Sequence, residues 1–193
     1  MLDLSLVVHD PERKSQLVCW AVTNDTQEMA MNTDILKALV ESELARMADA
    51  RVRSHIRSLL TEPKPVLRDW DYGEKGQQYV CWVVLEDHDV KTGIGYCESG
   101  FGPSAPWGLI GLEDSSMGMD SSWYTTFLQA YFGSTIPTVL PIWRVFKTDT
   151  SEVRRPITPE GSWDETWKQV MEKRQEDQAS RYDCDTSIAY ERE

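Results

Sequence analysis

The sequence predicts an α+β protein: a mostly antiparallel sheet of about five strands, with one long amphipathic helix and two shorter helices packed on it. Three observations predict it. Several segments alternate apolar and polar residues and are joined by short polar turns, as antiparallel neighbours require. A single stretch from Thr33 to Leu60 repeats apolar residues at three- and four-residue spacing. Two later segments carry helix-capping residues ahead of an aromatic stripe. The expected element order is two strands, a helix, two strands, a long loop, then helix, strand and helix.

Leu2, Leu4, Leu6 and Val8 alternate with other residues as a half-buried strand does. A polar turn at Asp10–Ser15 leads to a second strand at Gln16–Thr23, completing an N-terminal hairpin. In the long helix, Ile35, Leu36, Leu39, Val40, Leu44, Met47, Ala48, Val52, Ile56, Leu59 and Leu60 mark one apolar face, about 40 Å long at 1.5 Å per residue. Asn32 or Thr33 is placed to cap its start, and Pro63 and Pro65 forbid its continuation. Arg68–Gly76 reads as a polar connection. Strands are expected at Gln77–Leu85 and Thr92–Cys97, joined by the charged turn Glu86–Gly93.

Six of the eleven glycines fall within Gly93–Gly111, along with Pro103 and Pro106, which predicts an extended loop there. Asp120 is expected to cap a short helix at Ser121–Phe132 that Gly133 ends. A strand at Thr138–Phe146 follows, with Pro141 marking an edge or bulge. The pair Ser162 and Glu165 forms a capping box for a last helix bearing Trp163, Trp167, Val170 and Met171. Residues 1–180 are read as one domain and 181–193 as a frayed acidic tail.

One short segment occurs twice. Gln16–Val22 and Gln78–Val84 agree at five of seven positions, including Val-Cys-Trp. Both faces of each copy are apolar, so both are expected as central strands and as candidates for neighbours. Cys19 and Cys81 are small enough to admit a helix on one face.

Net charge is −12, which argues against direct contact with nucleic acid or an anionic membrane. Gln77–Ile136 holds seven acids against one base, Lys91, and so carries half of the net charge. Ser121–Trp143 has no charged residue, but Gly133, Pro137 and Pro141 interrupt it, so a buried helix and strand are expected instead of a membrane span. Met1 is followed by Leu-Asp-Leu-Ser without a basic region, so no secretory signal is expected. A cytoplasmic location and free cysteines follow, with a Cys81–Cys97 disulfide as the minority alternative.

No catalytic motif emerges. Gly100–Ala105 superficially fits a dinucleotide fingerprint, yet Pro103, Pro106 and Gly108 prevent the helix whose N-terminus would hold the phosphates. His88 sits between carboxylates in a turn rich in polar residues and shows no metal-ligand spacing. No cofactor is expected. Asp87, Asp89, Tyr96, Glu98, Phe101, Trp107, Glu113 and Asp114 are the candidates for a partner-binding surface. Aromatic anchors there would supply desolvated contact area, and the acids would steer a basic partner. Phe101 and Trp107 also suit a plug under the loop.

The expected function is therefore an acidic binding protein for a basic macromolecule, of the inhibitor or immunity type that neutralises a toxin or nuclease. Two alternatives stand beside it. One is a small enzyme or ligand-binding domain that uses 93–111 as a lid, with His88, Asp87, Glu98 and Cys97 as chemical groups. The other is a subunit of a larger assembly that uses its aromatic helices as contacts.

Overall fold

Asn32 opens the first helix, α1 (Thr33–Arg46), by accepting a hydrogen bond from the Ile35 amide at 3.0 Å. A computed structural model describes residues 31–190; the strands expected at Leu2–Val8 and Gln16–Thr23, and Cys19 with them, lie outside the described residues. The long helix expected over Thr33–Leu60 is two helices. Met47 turns extended, and Asp49 starts α2 (Ala50–Leu59), its carboxylate accepting from the Arg51 and Val52 amides at 2.8 and 3.3 Å. Arg53 donates to the freed carbonyls of Met47 and Ala48. The apolar period runs on across the break because Leu36, Val40, Leu44, Met47, Val52 and Ile56 all enter one core.

β1 (Leu60–Asp69) leaves α2 directly, where the sequence reading ended in prolines and a polar connection. The larger sheet is an antiparallel meander of β1, β2 (Gln78–Asp87), β3 (Thr92–Tyr96), β4 (Trp107–Gly111) and β5 (Trp123–Tyr124) in that order. Among the described residues β1 is an edge strand, which explains how it tolerates proline. Asp69 uses its outward N–H and C=O on Ser115 and Met117. By alternation Leu67 and Pro65 also point their backbone outward, so Pro65 removes no ladder bond. The Pro63 carbonyl is taken by the Thr33 hydroxyl.

The second Val-Cys-Trp copy lies inside the sheet, between β1 and β3, as expected. Trp82, Val84 and Leu85 join the core formed with α1 and α2, and a bulge at Val83–Leu85 brings both Val84 and Leu85 to that side. Cys81 does not face a helix. It points with Val83 into a second cluster of Cys97, Ile110, Met117 and Trp123, which the loop after β3 covers. The space beside it comes from the facing pair Gly95 and Gly108. A Cβ at Gly95 would lie 2.6 Å from the Cys81 sulfur, and one at Gly108 2.4 Å from the Trp123 ring. Thus four glycines of the expected loop belong to strands, and only 97–106 is irregular.

The expected helix at Ser121–Phe132 is likewise corrected. Asp120–Ser122 is a 3-10 turn, Trp123 and Tyr124 form β5, and the helix α3 spans Phe127–Gly133. Thr126 caps it by accepting from the Gln129 amide, and buried Glu43 of α1 accepts from the Phe127 and Leu128 amides at 3.1 and 2.9 Å. That carboxylate satisfies the helix's free amides and complements its dipole.

A second antiparallel sheet has the order β7 (Arg154–Pro156), β6 (Trp143–Thr148), β8 (Arg181–Thr186). The expected strand at Thr138–Phe146 begins later, because Ile136–Val139 is a 3-10 turn and Pro141 precedes the ladder. The final helix, α4 (Trp163–Glu176), starts at Ser162 as the capping box implies and packs Val170 on Val145 and Tyr182. β8 occupies part of the stretch read as a frayed acidic tail. Its Asp183 and Asp185 both pair with Arg154 on β7, the latter at 2.6 Å, and Tyr182 is buried under α4. Among the described residues no helix is long and apolar enough to cross a membrane.

Candidate partner-binding surface

β3 divides the expected site residues into two sets. The turn before it holds Asp87, His88 and Asp89; the loop after it holds Cys97, Glu98 and Phe101. Five residues of strand separate Thr92 from Cys97, about 16 Å.

In the turn, Asp87 is only 6 % exposed, and its carboxylate accepts from the Asp89 and Val90 amides at 3.0 and 3.3 Å. It also acts electrostatically on His55 of α2 and Tyr131 of α3. Glu86 pairs with Lys64 at 2.6 Å and Glu113 with Lys91 at 2.9 Å. Asp114 is exposed, but its carbonyl is one of three that hold the buried Arg68 guanidinium, with those of Gly111 and Ser116. Asp89 and His88 are exposed, and His88 lies 3.6 Å from Glu86.

After β3, Trp107 is 3 % exposed and packs between Tyr96 and Phe127, so its ring is core. Tyr96 is half-buried, and its hydroxyl donates a long 3.4 Å hydrogen bond to Glu98, whose side chain is exposed. Burial, and then the negative charge of Glu98, raise the Tyr96 hydroxyl above its ordinary pKa. Phe101 is half-buried in a chain of rings, with centroids 6.0 Å from Trp70, 5.4 Å from Tyr72 and 5.5 Å from Trp123. It is both the plug over the Cys81 cluster and part of the surface.

Cys81 and Cys97 are free, buried thiols. Burial pushes Cys81 up to about 12 and raises Cys97 as well, which suppresses the thiolate that nucleophilic chemistry needs. His88 thus lies at the opposite end of β3 from Cys97 and Glu98, and the stretch expected as a lid is strand at both ends, with only 97–106 irregular. Among the described residues no group of three or more His, Cys, Asp or Glu is placed to hold a metal.

Several surface groups were missed from sequence. Trp70 and Tyr72, in the stretch read as a polar connection, stand beside Phe101, and Tyr72 is 56 % exposed. Leu67 and Val80 face each other across β1 and β2, on the side of the sheet that the helices cover elsewhere. They are 60 % and 48 % exposed. With Gln78, Trp82, Glu98 and Ser99 they line a groove of about 290 Å3. The connection 69–77 and the loop 97–106 together carry Asp69, Asp71, Glu74 and Glu98 against the single base Lys75. Exposed cross-strand apolar pairs beside acids have no sequence signal of their own, because among the described residues their exposure depends on how far the helical core reaches over the sheet.

Comparison with protein-family models, with curated proteins and with solved structures finds no match to this chain.

Proposed function

We propose that the chain is an acidic binding protein that recognises a basic macromolecular partner, in the manner of an inhibitor or immunity protein covering a toxin or nuclease. One observation carries this reading: exposed Leu67 and Val80 lie in a shared groove with the carboxylate of Glu98. Apolar contact area bordered by one sign of charge suits a partner of opposite charge, whose association is steered by the field while the apolar groups hold it. Tyr72, Phe101 and Trp70 extend the same surface with aromatic area, the type most often found at binding anchors. The free thiols of Cys81, Cys97 and Cys184 fit a reducing compartment such as the cytoplasm.

The test is affinity capture with the full chain from lysate, followed by association kinetics on the purified captured protein at increasing salt. The expected partner is basic, and its association rate falls steeply between low and physiological ionic strength. A captured partner whose association is indifferent to salt overturns the electrostatic basis of the reading.

A further inference from the structure

The groove beside Glu98 has a chemistry more specific than an acidic field. Leu67, Val80 and Trp82 line it together with the polar residues Gln78, Tyr79 and Ser99, and its charged group is Glu98. Among the described residues Leu67 and Val80 stand outside the helical core and are exposed, although Val84 on the same strand as Val80 lies fully within it. About 290 Å3 is at the small end for a site that would enclose a drug-sized ligand, but it admits one long side chain.

The strand edge next to the groove is closed to a different mode of docking. Pro65 offers no N–H on the outer edge of β1, the Pro63 carbonyl is bonded to Thr33, and Asp69 is bonded to Ser115 and Met117. Along 65–69, among the described residues, the outward amides left to an incoming strand reduce to that of Leu67, too few for strand addition there. The partner must enter over the face.

We infer, resting on the basic-partner reading, that this groove receives an arginine side chain of that partner, its aliphatic stem against Leu67, Val80 and Trp82 and its guanidinium on Glu98. Three features select this occupant. The apolar walls suit a methylene stem, and the carboxylate at the rim suits the cationic head that such a stem carries. Among the described residues Glu98 accepts internally at 3.4 Å from Tyr96, which leaves its carboxylate capacity for a planar fork. The half-buried indole of Trp82 offers a flat apolar surface of the sort on which guanidinium groups stack.

The groove can be tested without the partner. The probe is N-acetyl-arginine methylamide, titrated into the labelled full chain and followed by amide and indole NMR shifts. Saturable shifts are expected at Val80, Trp82, Glu98 and Ser99, with much smaller ones for the norleucine analogue, which keeps the stem but lacks the cation. Glu98→Gln should weaken the arginine probe about threefold or more, as loss of a partly exposed ion pair does. Val80→Lys should abolish the shifts by filling the groove with a tethered cation, while the rest of the spectrum reports an intact fold. Shifts that are scattered over the surface, or equal for norleucine, or unchanged in both variants, overturn the inference. The two readings fail separately: a basic partner that associates in a salt-dependent way yet binds Glu98→Gln and Val80→Lys like the parent removes the groove and leaves the acidic surface.

Discussion

The two connections at the ends of β3 are both acidic, yet they use their carboxylates in opposite ways. In the turn before the strand, Asp87 is buried and bonded to two amides, while its neighbours Glu86 and Glu113 are matched by lysines. In the loop after the strand, Glu98 is exposed, meets one phenol at long range and borders bare apolar surface. The first set is bonded within the fold; Glu98 is bonded only weakly among the described residues. Net charge cannot distinguish them, because both count equally at the level of composition. What separates them is whether the protein itself supplies the donors.

The largest expected effect comes from breaking the structural side of this contrast. Asp87→Ala removes a buried acceptor from two amides of a tight turn and leaves those amides to find water. A loss of about 2 kcal/mol is expected, of the order seen when a helix-capping carboxylate is removed. Urea unfolding measures it directly. A loss below about 0.5 kcal/mol would mean that Asp87 is as dispensable as a surface acid, and the contrast with Glu98 would collapse.

A second test uses pH, because Asp87 also acts on His55. The His55 Nδ1 and the Tyr131 hydroxyl lie 2.7 Å apart, linking α2 to α3. Burial lowers the imidazole from its ordinary value of 6.5, and the Asp87 charge opposes that shift. In mild acid the unfolded chain therefore takes up a proton that the folded chain resists. The associated stability is full above about 6.5 and is lost as the pH falls from there through the lowered folded value. Unfolding curves from pH 8 to 5 should show this decline, and His55→Gln should flatten it. Asp87→Ala should deepen it, since the opposing charge is gone; an unchanged decline in that variant would show that the turn acid does not act on His55.

Much of the scaffold was legible because its signals are local. The alternation of β2 and the Ser162 capping box of α4 each lie within a few residues and each produced the expected element, and Asn32 starts α1 as expected although that helix ends at Arg46. The misses have a common physical source. Asp49 interrupts the long helix without disturbing its apolar period, since both halves bury into one core. β1 contains two prolines that only an edge position makes acceptable, and edge position is a property of the sheet. Asp183 and Asp185 looked like tail acids because their partner, Arg154, is about thirty residues away. The site divides in the same way. Tyr96, Glu98 and Phe101 could be named from an aromatic and acidic stretch, whereas the exposure of Leu67 and Val80 depends on where the helices stop.

The smallest expected effect is the sharpest for function. Glu98→Gln removes one exposed charge and keeps the shape of the side chain, so unfolding free energy should change by no more than about 0.5 kcal/mol. The local consequence should fall on Tyr96, whose hydroxyl is raised first by burial and then by the Glu98 charge. With glutamine there, the hydroxyl should titrate closer to its ordinary value of 10, measurable by the ultraviolet absorbance of the phenolate. If Glu98→Gln instead costs as much as Asp87→Ala, then Glu98 is bonded within the fold and is not held open for a partner. A silent change in stability, paired with a shift at Tyr96, would place the two carboxylates of this hairpin in different roles despite their identical charge.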